Sequence, residues 1–230
     1  MIPNTRVPGS YTQVDNSLAN SKLYPLPYKI LHMGQKITAG TAPANTPVRV
    51  TSDAAARALF GAGSMLALMA IASFKSNPAG ETWFLPLDDN GAGVAAVGSL
   101  TLGGAATSSG TLNFYAGGQL AQVAIAAAQG LPSVATALAA ACNALPDFPV
   151  VAAVDGVTNT KVNFTSKNKG EAGNSIDLRV NYNGELTAAG VSTTVASMTG
   201  GTGNPSLTAA IAALGDTWFH VFGFPYTDNA

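Results

Sequence analysis

Charge is scarce in this chain. Its 230 residues include 11 Lys or Arg and 12 Asp or Glu, so charged residues make up 10% of the sequence, against about 25% in an ordinary globular domain. A free monomer relies on surface charge for solubility, so this depletion points to a surface covered in large part by partners. Alanine supplies much of the 47% hydrophobic fraction, and Gly, Ser, Thr and Asn supply neutral polar surface, which softens that reading. The net charge is −1, with no basic face set among aromatics. Nucleic-acid binding, which needs such a face, is therefore not expected. The densest basic group, Lys161, Lys167 and Lys169, reads as a solvated loop.

Other scarcities narrow the chemistry. Cys142 is the one cysteine, so no intrachain disulfide can form; its setting in an alanine-rich run predicts a buried helix thiol. There are two histidines, His32 and His220, each inside an apolar stretch and each expected as a core or interface residue, with a pair on one sheet as the smaller alternative. No Cys, His and carboxylate cluster has metal-ligand spacing, and neither metal nor cofactor is expected. No run of about 20 apolar residues is present to cross a membrane. No charged segment followed by an apolar run opens the chain, so no signal peptide is expected.

What is present begins with an irregular start. Ile2-Pro3-Asn4-Thr5-Arg6-Val7-Pro8-Gly9-Ser10-Tyr11 has neither helical nor strand period. Proline fixes φ and pushes the preceding residue toward an extended backbone. Residues 1–24 are read as an extended N-terminal arm whose Ile2, Val7, Tyr11 and Val14 cannot be buried by the arm itself. A frayed terminus is the plain alternative.

After the arm, the pattern is strand, helix, strand. Tyr28 to Gly34 and Val48 to Thr51 read as short strands, and Ser52 or Asp53 can cap a helix from Ala54 to Phe60. Ser64 can cap a second, Met65 to Phe74, with Leu66, Met69, Ala70 and Phe74 on its buried face. Glu81 to Leu87 is the next strand. This order is the signature of a crossover onto a parallel sheet. It resumes near the end with a helix from Leu207 to Leu214, closed by Gly215, and a strand from Trp218 to Phe224, apolar enough to be buried on both faces.

Between these pieces the texture changes to short alternating strands. Three are expected around Leu100, Leu112 to Tyr115 and Leu120 to Ile125, the last two joined by a tight Gly117-Gly118 turn. A helix from Pro132 to Ala144 follows. Four more strands run at Val150 to Val154, Lys161 to Phe164, Ile176 to Tyr182 and Val191 to Met198. Glycine-rich links flank the unit, with Gly91 and Gly93 on one side and Gly200, Gly201 and Gly203 on the other. The predicted fold is an incomplete, Rossmann-like α/β core (25–92 and 202–230) with an inserted, strand-rich α+β domain (93–201) and the extended N-terminal arm. The five glycines are the expected hinges to the insert. A parallel strand usually feeds another helix, so the core is expected to be completed by a longer polypeptide or another chain, the former being favoured.

The same elements carry no catalytic signature. Asp88-Asp89 lie at a strand end, where α/β folds hold ligands. Beside an Asn-Gly turn they read better as a solvated loop. Gly61-Ala62-Gly63-Ser64 follows a helix, not a strand, so it is not a dinucleotide fingerprint. Gly200 to Pro205 lacks the Lys and Ser/Thr of a phosphate-binding loop. No Gly-x-Ser-x-Gly elbow occurs. No enzyme activity is expected.

Several segments carry a resemblance. Ile2 to Tyr11, Leu59-Phe60-Gly61-Ala62-Gly63-Ser64-Met65-Leu66, Lys169-Gly170-Glu171-Ala172-Gly173-Asn174 with Ile176 to Tyr182, and Gly200-Gly201-Thr202-Gly203-Asn204-Pro205 resemble contractile phage tail sheath proteins of the Mu-like group. The likeness runs from the first residues to the last, in family order. Sheath proteins of this group are substantially longer, so the chain corresponds to their N-terminal part. The resemblance implies a structural virion subunit that polymerises helically around a tail tube and contracts to drive the tube through the host envelope. It implies partners: other copies of the chain, the tail tube protein, and baseplate and tail terminator proteins, with no membrane insertion. It implies assembly in the host bacterial cytoplasm, with the arm linking neighbours and the insert facing outward. A carbohydrate- or receptor-binding virion module is the alternative, since it would account for the strand-rich insert. That module would expose aromatics on one sheet face, and the insert offers mainly Phe114, Tyr115, Phe164 and Tyr182.

Overall fold

A computed structural model describes residues 28–78 and 80–226. The expected arm, with Ile2, Val7, Tyr11 and Val14, lies outside the described residues. Within them the chain is a mixed α/β structure of four α-helices and three sheets.

The first sheet has the order β11-β1-β3-β2, built from β1 (Lys29–Gln35), β2 (Val48–Arg49), β3 (Glu81–Leu87) and β11 (Val221–Gly223). β1 runs parallel to β3 in continuous register, Leu31 opposite Trp83 and Met33 opposite Leu85, and parallel to β11 on its other side. β2 pairs antiparallel with β3. Two helices fill the crossover from β1 to β3. α1 (Asp53–Phe60) starts where the Ser52 hydroxyl accepts from the Ala55 amide at 3.2 Å, and it ends at Gly61, whose φ of 86° suits glycine alone. α2 (Met65–Ser76) starts the same way, Ser64 accepting from the Ala67 amide. Its buried line is Leu66, Ala67, Ala70 and Ile71, while Met69 and Phe74 are half-buried. Phe84 of β3 receives both Phe60 and Phe74 at ring distances of 5.9 Å. α4 (Thr208–Leu214) packs Ala210 with Leu31, Met33, Leu85 and Leu87.

The intervening segment builds the other two sheets. One has the antiparallel order β10-β4-β8-β7, from β4 (Ala95–Gly104), β7 (Val150–Val154), β8 (Lys161–Lys169) and β10 (Val191–Thr199). The other, β6-β5-β9, comprises β5 (Gly110–Ala116), β6 (Gln119–Ile125) and β9 (Leu178–Val180). Gly117 and Gly118 join β5 to β6 with φ of 54° and 80°, the double left-handed turn that matches strand twist. α3 (Leu131–Ala144) lies between the sheets, burying Val134, Leu138 and Cys142. One cluster of buried side chains, all between Ala96 and Met198, holds this part together, with Phe114 and Phe164 stacked at 4.4 Å. The order of three strands, a helix and four strands agrees with the sequence pattern; a 3-10 turn at Glu171–Ser175 is added to it.

Four expectations are corrected. The Trp218 to Phe224 strand is not buried on both faces: β11 is three residues at a sheet edge, and Trp218, Val221, Phe222 and Phe224 are 75%, 45%, 49% and 50% exposed. Among the described residues only β1 flanks it. Ile176 to Tyr182 is not one amphipathic strand. The 3-10 turn runs directly up to it and Asn181 turns left-handed at φ 54°, leaving three residues of strand and an exposed Tyr182. Lys161, Lys167 and Lys169 lie on β8, not in a loop, because alternate β8 residues Val162, Phe164 and Ser166 point inward. His220 precedes β11 and does not lie within it.

The Phe114–Phe164 stack should dominate the second core. Phe114→Ala is expected to lower unfolding free energy by about 3–5 kcal/mol, the usual cost of emptying a buried aromatic site. Urea titration would measure this, and a loss below about 1 kcal/mol would show that the core refills.

Candidate functional site

The ends of β1, β3 and β8 meet at one carboxylate. Asp89, just past β3, accepts from Gln35 Nε2 at 2.7 Å and Asn168 Nδ2 at 3.1 Å on one oxygen, and from the Lys169 amide at 3.1 Å on the other. Gln35 Nε2 also reaches the Lys169 carbonyl at 2.8 Å. Asn168 binds back to the first layer twice: its Oδ1 accepts from the Met65 amide at 2.8 Å, and its Nδ2 donates to the Lys36 carbonyl at 3.1 Å. Gln35 and Asn168 are 0% and 6% exposed. Buried polar groups of this kind are costly unless paired, and hydrogen bonds to an ionised acceptor are the strong ones. Asp88 turns the other way, into a 2.8 Å ion pair with Lys36, and its side chain is largely exposed. The solvated-loop expectation therefore fits Asp88 and misses Asp89.

A second tie joins the same two layers. Arg57 of α1 grips Asp147 with two bonds, Nε at 2.8 Å and Nη2 at 2.6 Å. These bonds hold the Asp147 carboxyl below the usual carboxylate range. Lys167 donates to the Ala62 and Pro146 carbonyls at 3.1 and 3.2 Å, and burial pushes its pKa down.

The glycine links run side by side. Val94 and Thr202 exchange amide bonds of 2.8 and 3.1 Å. Asn174 accepts from the Gly201 amide at 2.8 Å and donates to the Gly201 carbonyl at 2.9 Å. A side chain at Gly93 would come within 2.7 Å of the Gly203 carbonyl, so close approach explains that glycine. Gly200 and Gly203 take φ of 80° and 75°. Gly91 faces open space.

The histidines do not form a pair. His32 stacks on Phe84 at 5.6 Å with its Nδ1 buried and unpartnered, and burial pushes its pKa down. His220 packs against Tyr28 at 4.7 Å and accepts from the Lys29 amide through Nδ1. His32 instead stands opposite Gly223 in the β1–β11 register. Burial pushes the Cys142 thiol up to about 12, so it is neither thiolate nor nucleophile at neutral pH. Among the described residues no group of three or more His, Cys, Asp or Glu could hold a metal ion. No described helix is long and apolar enough to cross a membrane. The site's chemistry is cohesion: a polar junction between two packed layers, beside an exposed apolar edge at β11. Sequence reasoning missed Gln35, Asn168 and the Arg57–Asp147 pair. Asn168 adjoins the Lys169 to Asn174 motif, which was the available signal.

Stability should depend on acid. Asp155 is held down to about 2, first by the Thr158 amide, then by Asn163 and the Val157 amide, and Asp147 is lowered by Arg57. A carboxyl depressed in the folded state binds protons more readily when unfolded, so its stabilisation is present above the ordinary carboxylate pKa and lost as pH falls toward the folded value. The urea midpoint is expected to fall between about pH 4 and pH 2, with a shallower fall in Asp155→Asn. An unchanged slope in that variant would remove Asp155 from the account.

No family model matches the chain. It is 39% identical over 231 aligned residues to the Mu-like prophage FluMu tail sheath protein of Haemophilus influenzae, taking in 99% of the chain and 47% of the relative. The chain thus spans about half the length of the curated relative it matches. The resemblance to Mu-like tail sheath proteins therefore holds along essentially the whole chain, over a part of the relative's length.

Proposed function

We propose that this chain is part of a structural subunit of a contractile phage tail sheath. It polymerises helically around a tail tube and rearranges to drive the tube through the host envelope. The observation that carries this reading is the 39% identity over 99% of the chain to a tail sheath protein. The physical picture agrees: low charge, an apolar edge at β11 and polar ties inside the subunit suit a body that packs against copies of itself. Energy for contraction would lie in the difference between two packings of the same surfaces. The role is structural and not enzymatic.

In this reading the subunit has three parts. Residues 1–24 are the linking arm, with Ile2, Val7, Tyr11 and Val14 as its apolar contacts. Residues 25–92 and 202–230 form the core, a Rossmann-like unit that meets the tube and neighbouring copies. Residues 93–201 form an outward-facing insert. Gly91, Gly93, Gly200, Gly201 and Gly203 form the pivot between them, usable only when the Asp89 bonds release. The partners are other copies, the tail tube protein, and baseplate and tail terminator proteins. The place is the virion, after assembly in the host cytoplasm. The glycan-binding module is not favoured as the main function, because Phe114 and Phe164 are core residues.

Two deletions in the full-length parent protein test this by negative-stain electron microscopy. The intact protein is expected to form striated tubes or stacked rings, and removal of residues 2–14 to abolish them. Normal tubes after that deletion would refute the arm's role. Replacing residues 93–201 by a short linker should leave tubes intact; unassembled protein would count against a peripheral insert.

A further inference from the structure

Outside the polar junction, a second constructed feature stands at the edge of the third sheet. Tyr115, Gly118, Asp177, Arg179, Tyr182 and Asn183 line a cleft of about 330 Å³. Its size falls at the lower end of small-ligand sites, roughly 300–1,000 Å³. The Arg179 guanidinium lies 4.9 Å over the Tyr182 ring, and its Nε bonds Asp177 at 2.5 Å. That arrangement sets the guanidinium against the ring and gives one nitrogen a charged partner at the surface. Nη1 and Nη2 have no partner among the described residues. A planar, stacked guanidinium with two free donors is the side chain best matched to a carboxylate.

The rest of the wall is held in place. The Tyr115 hydroxyl donates to Glu185 and accepts from Asn183 Nδ2 at 2.9 Å. The Asn183 amide donates to Glu185 at 2.8 Å. Asn181, left-handed at φ 54°, donates from its amide to the Asn113 carbonyl and from its side chain to Thr187. Tyr182 stands edge-on to Tyr115 at 6.0 Å, yet is 59% exposed. Nothing lies within 4 Å of where a side chain at Gly118 would begin, so that wall is backbone open to a ligand. The loop spends Asn, Glu and Tyr hydrogen bonds on presenting an aromatic face, and such preorganisation favours binding.

We propose that this cleft binds an acidic saccharide, a sugar ring that bears a carboxylate. Arg179 takes the carboxylate through Nη1 and Nη2. Tyr182 stacks against the apolar face of the ring. Asp177 and Asn183 accept hydroxyl groups. Diffuse attraction of anions does not explain such binding, because the chain carries a net charge of −1 and Asp177 is paired with the arginine. A peptide C-terminal carboxylate could use the same fork, but it would leave the tyrosine face and the hydroxyl acceptors idle.

The test applies the chain to immobilised hyaluronate, polygalacturonate and polysialic acid, with dextran as the neutral control, at about 0.15 M salt. Binding to at least one acidic polymer and none to dextran is expected. Arg179→Lys keeps the charge and loses the fork; it and Tyr182→Ala should each weaken binding by at least about tenfold, a ~1.4 kcal/mol effect. Val157→Ser, at a fully exposed site, should change nothing. Absence of binding to all three polymers overturns the proposal. So does binding that survives both substitutions, or binding displaced by acetyl-alanyl-alanine more readily than by glucuronate, which would reassign the cleft to peptide termini. If a variant fails to fold, amide shifts of the wild-type chain titrated with glucuronate decide: shifts centred on Tyr115, Tyr182 and Asn183 support the proposal, and shifts elsewhere or none overturn it.

Discussion

Asp89 ties together strands that belong to different layers. Its carboxylate takes Gln35 from the end of β1 and both Asn168 and the Lys169 amide from the end of β8. Asn168 in turn bonds the first turn of α2 and the backbone after β1. Removal of the carboxylate would leave two buried amide side chains short of an acceptor, at about 1–3 kcal/mol each. Geometry elsewhere follows from this. α2 cannot shift without breaking its bond to Asn168, and β8 cannot slide without losing Asp89. The Arg57–Asp147 grip and the Lys167 contacts brace the same two layers at a second place. In α/β folds the ends of parallel strands commonly hold a ligand. Here the equivalent place is filled by the chain's own polar groups.

Such a junction suits the mechanical role proposed for the chain. A body that must transmit displacement has to move as a unit, and well-packed cores switch between discrete arrangements instead of deforming smoothly. Apolar contacts alone are non-directional and would tolerate sliding. Directed hydrogen bonds to a carboxylate fix register as well as proximity. The exposed side chains at β11 fit the same proposal: polar bonds join the two layers, while apolar surface lies at the β11 edge of the described residues.

Much of this was legible in the chain, for physical reasons. Ser52 and Ser64 announce both helix starts because short polar side chains cap amides locally. Gly117-Gly118 announces its turn because two consecutive left-handed residues demand it. Alternation at Val150 to Val154 gives a strand because its inner face meets the core. What failed were features set by distant contacts. Trp218 to Phe224 is apolar enough for a central strand, but its burial depends on what flanks it. Asp89 looks like a loop residue until β8 arrives beside it. Lys167 looks like a solvated cation until its strand turns it toward the Ala62 and Pro146 carbonyls. The pairing of Arg57 with Asp147 spans 90 residues and leaves no local trace.

Whether the two layers move as one body is read most directly by pulsed electron spin resonance between labels at Val157→Cys and Ile211→Cys. Both sites are exposed, whereas Cys142 is fully buried with its thiol pushed up to about 12, and stays unlabelled. A single narrow distance distribution, broadened by Asp89→Ala, is predicted. A broad distribution in the unmodified junction, or one indifferent to Asp89, would contradict the claim that this carboxylate locks the subunit.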